Sequence, residues 1–242
     1  MKILAFNCSP RMAKSNTSLL LDPFLEGARE AGAEVELIYL RKLRVKPCLG
    51  CFSCWLKTPG TCVQKKDDVA LIMPKLGEAE VWVFAMPLYV DGMPGHLKML
   101  FDRLIPGARP VIEVRDGHCR HPLRGDLKKG GKVVLIANCG FWELDNFDPL
   151  LIHMKAICKN VGREFAGALL RPHGEAMRPM MKMGIAIDDI FDAAREAGKE
   201  IVCKGNISPR LENIVSRELM PRDMYLRFAN EGFKAIAGKG IR

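Results

Sequence analysis

The apolar positions of the chain fall into short solid runs separated by stretches of helical spacing. Lys2 to Asn7 is one such run, and a turn rich in Ser, Pro, Arg and Asn follows it. Leu20, Phe24, Ala28 and Ala31 then recur at helical spacing up to Gly32. Pro23 lies inside that helix, where a proline costs about 3 kcal/mol, so a bend or a restart capped by Asp22 is expected. Val35, Leu37 and Tyr39 alternate with polar positions and predict a second strand. Asp67-Asp68 predicts the start of a helix reaching Leu76 and interrupted by Pro74. Val81 to Met86 reads as a buried third strand, and Leu97, Leu100, Phe101 and Leu104 mark the helix after it. Asp116-Gly117 joins two extended stretches, the signal of a hairpin.

Lys132 to Ala137 predicts a fourth strand. Asp148-Pro149 reads as a cap and first position for a helix carrying Leu150, Leu151, Met154, Ile157, Cys158 and Val161. Glu164 to Leu170 predicts a fifth strand, and Ile187, Ile190, Phe191, Ala194, Gly198 and Ile201 a last well-phased helix. Five strand signals alternating with helices imply an α/β fold: a doubly wound five-stranded parallel sheet with helices on both faces. Residues 1–204 are expected to form this domain, with a cysteine-rich loop at 47–62. Residues 205–242 read as a helical tail in which Tyr225 and Phe228 make oligomer contacts, consistent with a homodimer or homotetramer. Ligands of such sheets bind beyond the carboxyl ends of the strands, at the switch in strand order. The loops after strands one, three and four are therefore where chemistry is expected.

Composition narrows the function. At 242 residues and 48% hydrophobic, the chain can build a sizeable core. Its longest apolar run, Val81 to Tyr89, falls well short of the roughly 20 residues a membrane span needs. No export signal opens the sequence, so a cytoplasmic protein with no membrane partner is expected. The net charge of +9 attracts anions. Its densest clusters, Arg41 to Arg44 and Lys128 to Lys132, are short and lack interleaved aromatics, which argues against nucleic acid. Nine cysteines, an odd number, argue against a disulfide framework.

The turn after strand one offers Ser9, Arg11, Ser15, Asn16 and Thr17 at a helix N-terminus, where unpaired N–H groups and the helix dipole favour a phosphate. A helix cap with surplus polar residues is the alternative. The turn is not GxGxxG. Gly125 to Lys132 is only a near miss to a P-loop and precedes a strand instead of following one.

Ser9-Pro10-Arg11, then Ser15-Asn16-Thr17, resembles the FMN-phosphate loop of the NADPH-dependent FMN reductase group of flavodoxin-like proteins. Met86-Pro87-Leu88-Tyr89, followed by Lys98 and Asp102-Arg103, is similar to that group's isoalloxazine loop and the helix behind it. The resemblance implies that Pro87, Leu88, Tyr89, Val90, Asp91 and Gly92 line the ring. It also implies that Asn138, Cys139, Gly140 and Phe141 close its other edge. Lys98, Asp102 and Arg103 are expected to staple helix to loop. By itself, Tyr89 reads equally as a core or surface aromatic.

Cys48, Cys51, Cys54 and Cys62 form C-x2-C-x2-C-x7-C, whose opening spacing is that of ferredoxin segments. Structural zinc usually takes two separated pairs. The motif resembles that of the iron–sulfur flavoproteins, a branch of the same group, and so implies a [4Fe–4S] cluster near FMN. Zinc and free thiols are the alternatives. The resemblance implies an FMN-dependent oxidoreductase using NAD(P)H to reduce quinone, nitro or flavin-type small molecules. The alternative is an electron carrier with a ferredoxin-like partner. No catalytic side chain is assigned. Among weaker signals, His118 and His121 flank Cys119 as a possible metal site, and Glu143, Asp145 and Asp148 read as helix caps. Met177, Met180, Met181 and Met183 form either a flap over the flavin or core and subunit contact.

Overall fold

Strands that are apolar on both faces are stable only where both faces are covered. That condition organises this chain. The computed structural model describes residues 1–125, 127 and 130–238. Lys128 and Lys129 of the basic stretch and residues 239–242 lie outside the described residues. The main sheet holds β1 (Lys2–Asn7), β2 (Glu34–Tyr39), β3 (Val81–Pro87), β6 (Lys132–Asn138) and β7 (Glu164–Arg171). All its pairings are parallel, in the order β2-β1-β3-β6-β7. β4 (Glu113–Arg115) and β5 (His118–Arg120) form the expected hairpin. Asp116 and Gly117 supply its two positive φ values, 54° and 73°.

Alternate side chains of the central strands enter two cores. Ile3, Ala5, Val81, Val83, Ala85, Val134 and Ile136 face one core, with α1 (Asn16–Glu30) and α7 (Asp188–Cys203) packed on them. Leu4, Phe6, Trp82, Phe84, Met86, Val133 and Leu135 face the other, covered by α3 (Val69–Glu78), α4 (Gly95–Asp102) and α5 (Asp148–Asn160). α1 and α7 touch backbone to backbone. A Cβ at Gly27 would stand 1.8 Å from the Arg195 carbonyl oxygen, and one at Gly198 1.9 Å from that of Phe24.

Three local expectations are corrected. α1 runs unbroken through Pro23, so Asp22 caps nothing. Leu20, Leu21, Phe24, Leu25 and Ala28 are all buried, and at about 1.5–3 kcal/mol per large side chain this outweighs one proline. α3 likewise passes through Pro74, holding Ile72 and Leu76 in the core. Asp148 sits inside the first turn of α5, after Phe147, where it complements the dipole without capping.

The helical C-terminal region packs on the sheet domain. α8 (Pro209–Ser216) lies on β7 and α7, and Ile207, Leu211, Val215 and Tyr225 belong to the first core. Tyr225, expected as an oligomer contact, is buried in its own chain. Of the methionines, Met177 and Met180 are core residues, whereas Met181 and Met183 are exposed. No helix among the described residues is long and apolar enough to cross a membrane.

Candidate functional site

The sheet order reverses direction between β1 and β3, and there the loops after β1, β3 and β6 converge. Asn138 bolts them together. Its Oδ1 accepts from the Thr17 hydroxyl at 2.7 Å, and its carbonyl accepts from the Leu88 N–H at 2.8 Å. Both side chains are buried, and this bond spends the Thr17 hydroxyl proton and Asn138 Oδ1 on joining the loops.

The first loop is held from within. Asn7 Oδ1 accepts from the Ser9 N–H at 3.0 Å, and Asn7 Nδ2 donates to Ser18 Oγ at 2.9 Å. Ser15 is the N-cap of α1, its Oγ accepting from the Ser18 N–H at 3.1 Å. Ser9 Oγ, buried, accepts from the Arg11 N–H at 3.3 Å. Asn16 differs. Its Oδ1 accepts from Arg178 Nε at 2.9 Å, but its Nδ2 is buried without any partner. An unpaired buried donor costs about 1–3 kcal/mol. Here it sits at the first residue of a 15-residue helix, the place where an anion belongs. Arg11 is exposed and pairs with Glu175 at 3.0 Å.

The second loop is strained. Tyr89 and Gly92 exchange backbone hydrogen bonds of 3.0 and 3.1 Å. Between them Val90 and Asp91 both adopt left-handed conformations, with φ of 46° and 57°. For a β-branched residue this is unusual, and such strain costs about 1–3 kcal/mol and gathers at ligand sites. Val90 is fully exposed and Tyr89 half exposed. Leu88 to Asp91 on one side and Cys139 to Phe141 on the other enclose a cavity of about 460 Å³. Pro87 ends β3 just beneath.

The C-terminal region braces the third loop. Trp142 Nε1 donates to the Met220 carbonyl at 3.1 Å, and the Tyr225 hydroxyl donates to that of Gly140. His173, buried and with φ of 42°, donates its N–H to the Phe141 carbonyl at 2.6 Å. Its Nε2 accepts from the Leu219 N–H at 2.9 Å. Burial, and then the Arg171 charge, lower its pKa to about 4. Cys139 is a buried thiol raised in pKa by that burial.

The four clustered cysteines line a second cavity, together with Arg103. Left-handed Gly50 and Phe52 curve the segment, and Trp55 anchors it by donating to the Ile105 carbonyl at 3.1 Å. All four thiols are free; Cys48 and Cys51 are exposed, Cys62 partly and Cys54 fully buried. Burial pushes the Cys54 thiol up, and charge on Cys62, Cys48 and Cys51 raises it further. Among the described residues, no three His, Cys, Asp or Glu side chains stand at metal-ligand spacing. The soft sulfur donor set and its shared cavity are of the chemistry an iron–sulfur group takes. His121 instead packs against Trp55 in a tilted contact, ring centroids 4.8 Å apart, with Nδ1 2.7 Å from the Val111 carbonyl.

The sequence model of the NADPH-dependent FMN reductases matches residues 1–140. An iron–sulfur flavoprotein of Methanocaldococcus jannaschii is 39% identical over 153 residues, 63% of this chain and 73% of that one. This chain belongs to the iron–sulfur flavoprotein branch of the NADPH-dependent FMN reductase family. An iron–sulfur flavoprotein of Archaeoglobus fulgidus is 41% identical over 103 residues, 43% of this chain. That alignment spans about half of the relative, 48%. Among solved structures, an FMN-dependent NADH-azoreductase from Bacillus anthracis in complex with FMN aligns with a TM-score of 0.61 at 19% identity. It covers 83% of this chain and 99% of its own. An NAD(P)H:quinone oxidoreductase from Methanothermobacter marburgensis gives 0.60 at 22%, covering 83% and 98%. These likenesses show the flavodoxin-like fold.

Against this family frame, several residues had no signal in the sequence. Arg178, from α6 (Met177–Lys182), clamps the first loop through Asn16 and the carbonyls of Lys14 and Ser15, at 3.1 and 2.9 Å. It lay hidden in a segment legible only as methionine-rich. Arg171 ends β7 and His173 and Glu175 follow it, at a strand whose loop was not among those singled out. Among the described residues, Lys98 and Asp102 form their ion pair with each other along α4, at 2.5 Å and exposed. Arg103 turns away from the flavin-type loop toward the cysteine segment.

Proposed function

We propose that the protein is an FMN-dependent oxidoreductase that takes reducing equivalents from NAD(P)H and passes them to quinone, nitro or flavin-type acceptors. The observation that supports this most is the buried, partnerless Asn16 amide at the α1 N-terminus, taken with the half-open cavity between the strained second loop and the third loop at the switch point. A phosphorylated tricyclic cofactor satisfies both at once. Its phosphate would meet Asn16 Nδ2 and the first-turn N–H groups, with Ser9 close by and Arg11 able to leave Glu175. Its ring would lie between Leu88 to Gly92 and Cys139 to Phe141, over Pro87.

When bound, FMN supplies hydride and one-electron chemistry. The protein supplies binding and orientation. Tyr89, Val90 and Asp91 hold an exposed rim that leaves one face open to a second planar molecule. Buried Thr17 and Asn138 keep the loops in register, and the Tyr225 and Trp142 contacts fix the third loop from behind. No proton-transferring side chain is assigned.

The four thiolates of Cys48, Cys51, Cys54 and Cys62 would hold a [4Fe–4S] cluster, which supplies single-electron exchange. Cys48 and Cys51 are exposed, with Leu49 and Leu56 beside them at 66% and 75% exposure. That surface favours a second reading, an electron carrier that docks a ferredoxin-like protein. Mixing the anaerobic holoprotein with NADPH decides between the two. Rapid bleaching of the visible flavin band, reversed by a quinone, is expected of the reductase. Bleaching by reduced ferredoxin but not by NADPH would leave the carrier. A Cys54→Ser variant with unchanged iron content and spectrum removes the cluster.

A further inference from the structure

Arg103 follows α4, the helix that begins just beyond the Tyr89–Gly92 turn. Its side chain is charged yet only 1% exposed, and its ion-pair partner Asp67 is 0% exposed. One terminal nitrogen also donates to the Lys46 carbonyl at 2.9 Å, and the other to that of Gln64 at 3.4 Å. Asp67 Oδ2 in turn accepts from the Lys46 N–H at 3.2 Å, and Gln64 Nε2 donates to the Pro47 carbonyl at 3.0 Å. A single guanidinium thus gathers both ends of the cysteine segment. These contacts occupy the two terminal nitrogens and leave Nε–H buried without a partner.

Arg103 lines the same cavity as the four thiols, and Asp67 does not. The positive end of the buried pair is therefore the end presented to sulfur. Asp102, also at that cavity, is balanced by Lys98. A purely structural ion pair accounts for the contacts with Asp67, Lys46 and Gln64. It does not account for a buried donor left unpaired beside a set of sulfur acceptors.

We infer that Arg103 is the positioning residue of the cysteine site: by tying the Lys46 and Gln64 ends of the segment together it fixes the closure of the four-cysteine loop, and it sets the reduction potential of the iron–sulfur group. This rests on the cluster reading above. One electron from an external one-electron donor adds one negative charge to a group already surrounded by thiolates. A fixed cation lining the cavity of the four thiols, with a buried N–H left free to donate, favours that reduced form, and hydrogen bonds and local charge are recognised determinants of such potentials.

The test uses the full chain, reconstituted anaerobically, with iron and acid-labile sulfide counted per chain and the potential followed by EPR during dithionite titration. Arg103→Lys keeps a cation for Asp67 but has no Nε–H. It is expected to retain the cluster while its equilibrium constant for one-electron reduction falls about tenfold, or about 59 mV. Arg103→Gln also strands Asp67 and is expected to lose iron; should it fail to fold, the lysine variant decides alone. An unchanged potential in Arg103→Lys overturns the inference and leaves the cluster standing. Absence of iron from the wild-type protein overturns both, and the wild-type iron count tells the two failures apart.

Discussion

Replacing Asn16 with Asp separates the two things that Asn16 does. Its Oδ1 accepts from Arg178 Nε at 2.9 Å, and a carboxylate keeps that bond and adds charge to it. Its Nδ2 has no protein partner, and a carboxylate removes that donor. Without cofactor, the variant exchanges one unpartnered buried atom for another, and the cost of burying its charge is offset by the Arg178 pair and the helix N-terminus, so its stability should hold to within about 1 kcal/mol. With FMN the balance is unfavourable. The variant forfeits a hydrogen bond to a charged group, worth about 1.5–3 kcal/mol, and sets a negative charge beside a dianion. Arg178 offsets part of that repulsion, so a net loss of about 3 kcal/mol is reasonable, or roughly a hundredfold in Kd. Fluorescence titration of FMN onto the deflavinated variant measures this, and thermal melts of the same sample measure the first effect. An FMN Kd within threefold of wild type would refute the phosphate assignment. An equal loss of apoprotein stability would show that Asn16 is merely structural.

Two further predictions concern the frame around the site. Gly198→Ala would place a methyl 1.9 Å from the Phe24 carbonyl oxygen, forcing α1 and α7 apart. A loss of about 3 kcal/mol is expected in denaturant titration, and a loss below about 0.5 kcal/mol contradicts the close crossing. His173 is buried and neutral, with a pKa near 4 against 6.5. Between those values the unfolded chain binds the extra proton, so stability is full above about pH 6.5 and declines toward pH 4, by up to about 3 kcal/mol. His173→Gln keeps an acceptor for the Leu219 N–H but cannot ionise, and should flatten the melting temperature across that window; an undiminished slope refutes the assignment.

Much of the frame could be read from periodicity because the central strands are buried on both sides, and solid apolar runs of strand length have few other uses. Where the reading failed, burial overrode local preference. Pro23 and Pro74 stay inside helices because the faces around them are core. Tyr225 reads with Phe228 as an oligomer contact of the tail, whereas its partners, the Gly140 carbonyl and the His173 ring, lie far away in sequence. The three loops were legible as polar or aromatic turns after strands. Their wiring was not. Thr17 and Asn138 are 121 positions apart, and Arg178 is 162 from Asn16. Nothing local marks either pair. Arg103 looked like a helix-surface charge beside Lys98 and Asp102, and only the fold reveals that it turns inward to Asp67.

The most direct test of the central claim is a cofactor count on protein purified without oxygen, with the released flavin identified by mass. One FMN per chain is predicted, lost on dialysis against high salt and bromide and restored by added FMN but not by riboflavin, which lacks the phosphate. A colourless protein that takes up neither, or one that binds riboflavin as tightly as FMN, would contradict the phosphate-anchored site.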